Sequence, residues 1–364
     1  MAERGAAVIS GLAAYSALGR SVAAQLDRAL QGAAGFGPVQ RFDVSRRRVS
    51  VAATAPDLVD LRGELISVVD QACQDARLTA TQRAACPLLL AAHGEPGLAE
   101  LAAAVAAGTG LPGPEQIYTT ACVSASTAVA DAAGRLVRGE AERVVVAAGY
   151  LVEPDQFALF DAGRALATDG AARPFSAGRS GLLLGDGVAA VVLESAAGAR
   201  LRGCQPYAEI VGWGRAGDAY HPCQPDPQGR GLARAIESAL RRAGLRPEEI
   251  GHINANATGA ELGDASEAAA IRRAFGPLAG RIPVSSTKSV HGHALEASAL
   301  LELVLAVLAL RHGKLPVNAG FLNPDEACPL DVITPAPRTV ATPYALSLNA
   351  AFGGANTALL VRAA

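Results

Sequence analysis

The sequence predicts an α/β fold built from two similar halves, and three observations carry that prediction. Short apolar runs alternate with segments whose apolar residues recur every three or four positions, the order of a protein made of strands and helices. A helix–turn–strand unit met early in the chain returns in its second half. At 364 residues the chain also exceeds what one ordinary core supports.

In order, the chain opens with a β-prone run, AAVISGL, and an amphipathic helix over residues 22–30 that ends near Gly32. Residues 64–76 read as a helix, with Leu65, Val68, Val69, Ala72, Cys73 and Ala76 on one face. A turn at 78–82 and the run CPLLLAA follow. Helix 232–243, a turn at 245–249 with Pro247, and the run GHINANA repeat that order. Helix 124–138, closed by Gly139, leads into RVVVAAG, and helix 296–310, closed by Gly313, leads into KLPVN. The echo implies two α/β halves, residues 1–200 and 201–364, divided near 198–203. GVAAVVLE at 187–194 and TALLVR at 357–362 read as buried strands near the ends of the halves. The polar stretches 44–48 and 218–231 are expected to be mobile.

Composition narrows the function. Half the residues are hydrophobic and 18% are charged, as in a compact, well-buried protein. A net charge of −2 with interspersed signs offers no basic patch for nucleic acid or a membrane surface. No apolar stretch is long enough to span a bilayer, and the start lacks the pattern of a secretory signal, so a cytoplasmic location is expected. The six cysteines show no zinc or CxxC spacing and read mostly as small buried apolar residues. Of 32 basic residues only Lys288 and Lys314 are lysines. Where this chain needs a plain positive charge it uses arginine, so a lysine hints that an ammonium is wanted.

Cys122 sits in IYTTACVSASTAVADAAGRLV, between a short apolar run and a good helix. A sulfur at that turn meets free backbone N–H groups and the helix dipole, which favour a thiolate. Spacing alone leaves a core cysteine and a nucleophile equally open. Four further segments bear on the choice: RPFSAGRSGLLLGDGVAAVVLES, INANATGAELGDASEAAAI, VSSTKSVHGHALEASALLELVLAVLAL and SLNAAFGGANTALLV.

Together with the opening VISGLAAYSALG and Arg41–Asp43, these segments resemble the β-ketoacyl synthase family, the elongating condensing enzymes of fatty acid and polyketide synthesis. The match is poor between 49 and 113, and the stretch before Cys122 is shorter than in typical members. The resemblance implies the thiolase fold: duplicated βαβαβαββ halves in a five-layer αβαβα sandwich, each with a mixed five-stranded sheet. It implies that Cys122 accepts the acyl group as a thioester. It also implies that the backbone N–H groups of Cys122 and Phe352 form an oxyanion hole, with Phe352 also gating the pocket. His293 matches a catalytic histidine, Lys288 the active-site lysine, and Glu267 the glutamate expected to contact it. Thr258 matches a residue that bonds the phosphopantetheine arm.

These roles agree with the chemistry. A thiolate attacks a thioester readily and leaves readily. A neutral imidazole can stabilise the enolate left when malonyl loses CO₂. A buried Lys288 needs a carboxylate beside it; read singly, Lys288 could also be a surface lysine and His293 a core histidine.

One departure stands out. The family's Asn-Ala-His-Gly-Thr is here Asn254-Ala255-Asn256-Ala257-Thr258. Asn256 can donate a hydrogen bond but cannot carry a proton. Three readings follow: Asn256 and His293 share a decarboxylative condensation; Cys122 passes its acyl group to another acceptor without decarboxylation; or the chain is a partner subunit resembling a chain length factor. Retention of Cys122, Lys288, Glu267 and His293 weighs against the third. Ala350 replaces a usual phenylalanine and Ala260 a usual threonine, which predicts a wider acyl pocket and a weaker carrier contact. His291 either substitutes for the missing ring or is an exposed loop histidine. The resemblance further implies acyl carrier protein or CoA thioesters as substrates and no metal or bound organic cofactor. It implies a homodimer, or a heterodimer with another ketosynthase subunit, formed through a sheet edge.

Overall fold

The computed structural model describes residues 6–93 and 97–364. Its first half contains β1 (Ala7–Ser16), β2 (Leu88–Ala91), β3 (Pro114–Tyr118), β4 (Arg143–Tyr150) and β5 (Gly187–Ser195). Its second contains β6 (Ala208–Gly217), β7 (His252–Asn254), β8 (Pro283–Ser285), β9 (Tyr344–Ala350) and β10 (Ala355–Ala363). The spatial order is β1-β5-β4-β2-β3 in the first sheet and β6-β10-β9-β7-β8 in the second. In each, the first two pairings are antiparallel and the last two parallel. One topology is therefore used twice. The two sheets are hydrogen-bonded edge to edge, where Ala7–Ile9 pairs with Ala208–Ile210, and a short strand at Asp331–Val332 extends the far edge beside β8.

The principal helices are α1 (Val22–Gln31), α2 (Leu61–Asp75), α3 (Leu98–Thr109), α4 (Ser124–Val137), α5 (Pro154–Ala162), α6 (Arg230–Ala243), α7 (Glu261–Phe275) and α8 (Ser298–His312). α2 packs on β1 and β5 with α3 beside it, and α6 packs on β6 and β10 with α7 beside it. α4 and α8 touch each other and both sheets. The layers run helix, sheet, helix, sheet, helix.

Side-chain pattern explains which helix takes which layer. α6 buries Leu232, Ala235, Ile236, Ala239 and Leu240 on one stripe, so it belongs on an outer face. α8 is buried at every position from Ser298 to Leu310, so only a place between two sheets suits it. Val144–Ala148 of β4 are likewise wholly buried, as expected for a strand covered on both faces.

The segment 218–231, expected to be mobile, is pinned instead. The Asp226 carboxylate accepts N–H bonds from Gln228 and Arg230, and Ser266 Oγ donates to its carbonyl. Among the described residues, no helix is long and apolar enough to cross a membrane.

Candidate active site

β3 ends at Tyr118, a tight turn follows at Ala121–Val123, and α4 begins at Ser124. The turn enters through Ala121 at φ 51°, a left-handed conformation that costs a non-glycine residue energy and is typical of functional turns. The second half builds the same device: Leu295 at φ 41°, a turn at Leu295–Ala297, then α8. By this symmetry Glu296 stands where Cys122 stands in the first half. The two turns touch.

Cys122 Sγ lies 3.1 Å from His293 Nε2. The expected thiolate is not the resting form. Burial, then the Glu296 carboxylate, push the thiol up to about 12, against the pull of Lys288 and the Cys122 backbone N–H. Loss of water around the sulfur outweighs the helix N-terminus.

His293 is clamped from two sides. Its Nδ1 lies 2.8 Å from Ser298 Oγ, which also accepts the Ala294 N–H at 2.8 Å. Its backbone N–H donates to Leu183 O and its carbonyl accepts from Gly185 N. A Cβ on Gly185 would lie 2.0 Å from His291 O, so only glycine lets these segments meet. Burial, with Lys288 and His291 nearby, holds His293 well below the usual imidazole range, so its ring is neutral.

His291 is neither exposed nor a spare catalytic ring. It is fully buried, with Nδ1 on Gly292 O at 2.8 Å and Nε2 on Thr287 Oγ1 at 3.0 Å. Both nitrogens are committed to the turn, and burial lowers it to about 3.

Lys288 is 1% exposed, and its partner differs from the expected one. Nζ lies 2.5 Å from Glu302 Oε1, while Glu302 Oε2 accepts from Asn349 Nδ2 at 2.7 Å. Glu302 lies on α8, packed against β9, so the central helix rather than α7 brings the carboxylate to the ammonium. Glu267 on α7 instead accepts the Asn256 backbone N–H at 2.7 Å. Asp264, one turn earlier, accepts the N–H groups of Thr258, Gly259 and Phe175. The two carboxylates hold the 256–259 loop. Lys288 Nζ also donates to Asn256 Oδ1 at 3.4 Å. That contact turns the amide so that its NH₂ is left as a donor.

Burial pushes Glu267 up from 4.5 to about 8. The fold therefore holds this proton more tightly than the unfolded chain does. Its stabilising contribution is complete below about pH 4.5 and is lost as the pH rises through about 8. We expect wild-type stability in urea to fall more steeply than that of Glu267→Gln across that window; parallel curves would show Glu267 ionised in the fold.

The remaining expected residues lie on loops and strand ends. Phe352 is 58% exposed and stacks on Phe160 of α5, ring centroids 6.2 Å apart. The strands flanking it, β9 and β10, touch the Cys122 turn. Neither Cys122 nor Phe352 donates its backbone N–H to another group among the described residues. Ala350 closes β9, Thr258 is half-buried, and Ala260 immediately precedes α7.

Sequence reasoning missed Glu302, Ser298 and Asp264. Glu302 had a legible signal, as the one charge in the apolar run from 298 to 310. Ser298 had none, since a serine at a helix start is ordinary.

Comparison with known proteins agrees with this architecture. Residues 91–199 match the β-ketoacyl synthase N-terminal domain and residues 207–322 its C-terminal domain. The chain is 32% identical to the 3-oxoacyl-[acyl-carrier-protein] synthase 2 of Coxiella burnetii, covering 99% of each chain. That alignment runs to 415 positions, so the relative carries segments this chain lacks. It is 35% identical to the Staphylococcus aureus protein of the same name over 70% of this chain and 64% of that one. Among solved structures, "the ishigamide ketosynthase/chain length factor" superposes with a TM-score of 0.92 at 27% identity, over 99% of this chain and all of that one. A β-ketoacyl synthase from Burkholderia phymatum gives 0.90 at 26%, with the same coverage. With duplicated five-layer architecture, a cysteine–histidine contact at the central helix and relatives matched from end to end, this chain belongs to the β-ketoacyl synthase family of thiolase-fold condensing enzymes.

Proposed function

We propose that the protein takes an acyl group from a phosphopantetheine thioester onto Cys122 and condenses it with a malonyl thioester, Asn256 and His293 sharing the polar work. The observation that carries this reading is the 3.1 Å contact between Cys122 Sγ and His293 Nε2. Because the thiol is protonated at rest, its proton must leave as sulfur attacks. His293 Nε2 is the acceptor in reach, and the neutral ring has a lone pair to offer. The proton then passes to the departing pantetheine sulfur, leaving a Cys122 thioester and a free pantetheine thiol. The Cys122 and Phe352 N–H groups receive the carbonyl oxygen as it becomes negative.

In the second step malonyl loses CO₂, and the enolate carbon attacks the Cys122 thioester. Cys122 sulfur departs as a thiolate and regains a proton from solvent, since CO₂ leaves without supplying one. The enolate oxygen is met by Asn256 Nδ2 and His293 Nε2–H. A serine hydroxyl can accept or donate, so Ser298 accommodates both tautomers that His293 needs. Lys288 and Glu302 act behind these groups, keeping the Asn256 amide in one orientation. Thr258 meets the pantetheine arm, while Ala350 leaves room for the acyl chain. Thiol, imidazole and amide suffice for this chemistry, without metal or organic cofactor.

Acyl carrier protein or CoA brings the substrates. The open edge of β3, beside the nucleophile, serves dimerisation with a second copy or another ketosynthase subunit; the solved ketosynthase/chain length factor supports the latter option. We place the protein in the cytoplasm, where its six free cysteines stay reduced.

Loss of the ring at position 256 supports a second reading, in which the Cys122 acyl group passes to an alcohol, amine or thiol without decarboxylation. CO₂ release from malonyl-acyl carrier protein decides between them. On the first reading the wild type releases CO₂, and Asn256→His raises the rate by about tenfold or more. Wild-type acylation with no CO₂ release would favour the second.

A further inference from the structure

The position equivalent to the nucleophile in the second half holds a carboxylate. Glu296, 6% exposed, sits in the turn that touches the Cys122 turn, and its charge is the second cause of the raised thiol. It does not stand alone. Its Oε2 lies 2.6 Å from His93 Nδ1, and the His93 ring lies 5.4 Å from that of Tyr150 at the end of β4. Glu153 Oε1 is 3.4 Å from His93 Nε2. The Glu296 carboxylate raises His93 above the usual imidazole range, which favours N–H on both ring nitrogens.

Two donors in this group make no hydrogen bond, although His93 Nε2 lies within ion-pair range of Glu153. His93 Nε2 and Tyr150 Oη are buried without a hydrogen bond among the described residues, and Tyr150 is 1% exposed. A buried donor left without a hydrogen bond destabilises the fold unless something meets it. None of the reaction steps above uses either atom. An acyl oxygen that reached these donors from Cys122 would satisfy them, whereas a plain alkyl chain would not.

We propose that Glu296, His93 and Tyr150 read the acyl group carried on Cys122 and select one bearing a keto or hydroxyl oxygen near the thioester over a plain alkyl chain. This rests on Cys122 being the acyl carrier. Glu296 orients His93, and His93 and Tyr150 donate to the acyl oxygen. A site built to bond an oxygen rejects the analogue lacking it far more strongly than an apolar pocket rejects an extra methylene.

The test uses pantetheine thioesters of butanoate, 3-oxobutanoate, 3-hydroxybutanoate and octanoate, with Cys122 acylation rates followed by intact mass. At least one oxygenated four-carbon group is expected to load about tenfold or more faster than butanoyl. Tyr150→Phe should cut that ratio at least about threefold. His93→Leu/Glu296→Leu, which removes both partners and leaves no lone buried charge, should bring it to within about twofold of unity. Thermal melts show that each variant is folded; should the double variant fail to fold, Tyr150→Phe carries the test. Equal wild-type loading of butanoyl and both oxygenated groups overturns the inference while leaving the acyl-carrier reading intact. So does an oxygen preference that survives in the folded variants. No loading of any thioester overturns the acyl-carrier reading itself, and the inference falls with it.

Discussion

Cys122→Ala is expected to abolish the covalent acyl adduct and to lower any condensation rate by about 10³-fold or more. On the proposed mechanism the sulfur is the atom that holds the acyl group between the two half-reactions. His293 faces it at 3.1 Å but is held in its turn by Ser298 and by Leu183 and Gly185. The check is intact mass after incubation with acyl-acyl carrier protein. Wild type should gain the acyl mass and the variant none. An adduct of equal yield in both would place the acyl group elsewhere and end the case for this nucleophile. Because Cys122 is small and belongs to the same buried cluster as Ala125 and Ala128, the variant should unfold within a few degrees of wild type.

Lys288→Met carries the largest expected loss of stability. It leaves Glu302 fully buried without its cation, and breaking a buried pair from one side typically costs about 3–5 kcal/mol. Burial already pushes Glu302 up, and Lys288 is its main counterweight. Without it the carboxyl takes up a proton more readily, so the loss should be smaller at acid pH and grow as the pH rises. Adding Glu302→Leu should restore most of the stability but not activity, because Asn256 Oδ1 would still lack the ammonium that orients it. Urea denaturation of the two single variants and the double variant measures the coupling. Rescue by Glu267→Leu instead of Glu302→Leu would reverse the pairing assigned here.

Both glutamates were visible in the sequence, but their partners were not: Glu267, expected beside Lys288, bonds the Asn256 backbone, and Glu302 takes the ammonium. Glu267 lies eleven positions after Asn256, within one loop and helix, and the structure keeps that proximity: it bonds the Asn256 backbone. Glu302 reaches Lys288 only because α8 is buried between two sheets and turns one charged residue toward the pair. Its presence in an apolar run was visible; its partner was not. The same holds for His291, whose polarity suggested a loop position until the turn at Lys288–His291 proved to be buried and to use both ring nitrogens.

Sequence alone established the α/β class, much of the alternation of helices and strands and the duplication, and its resemblance singled out Cys122, His293 and Asn256 as candidate site residues. These follow from local periodicity and from short segments at strand ends, where chemistry-bearing residues keep fixed spacing. Tertiary structure decided the protonation of the thiol, the partner of Lys288, and the meeting of Glu296 with His93. Each depends on burial or on contact between residues far apart in the chain: Cys122 and His293 are 171 positions apart, His93 and Glu296 203. Water exclusion sets a pKa, and no spacing in a chain reports how much water a fold will exclude.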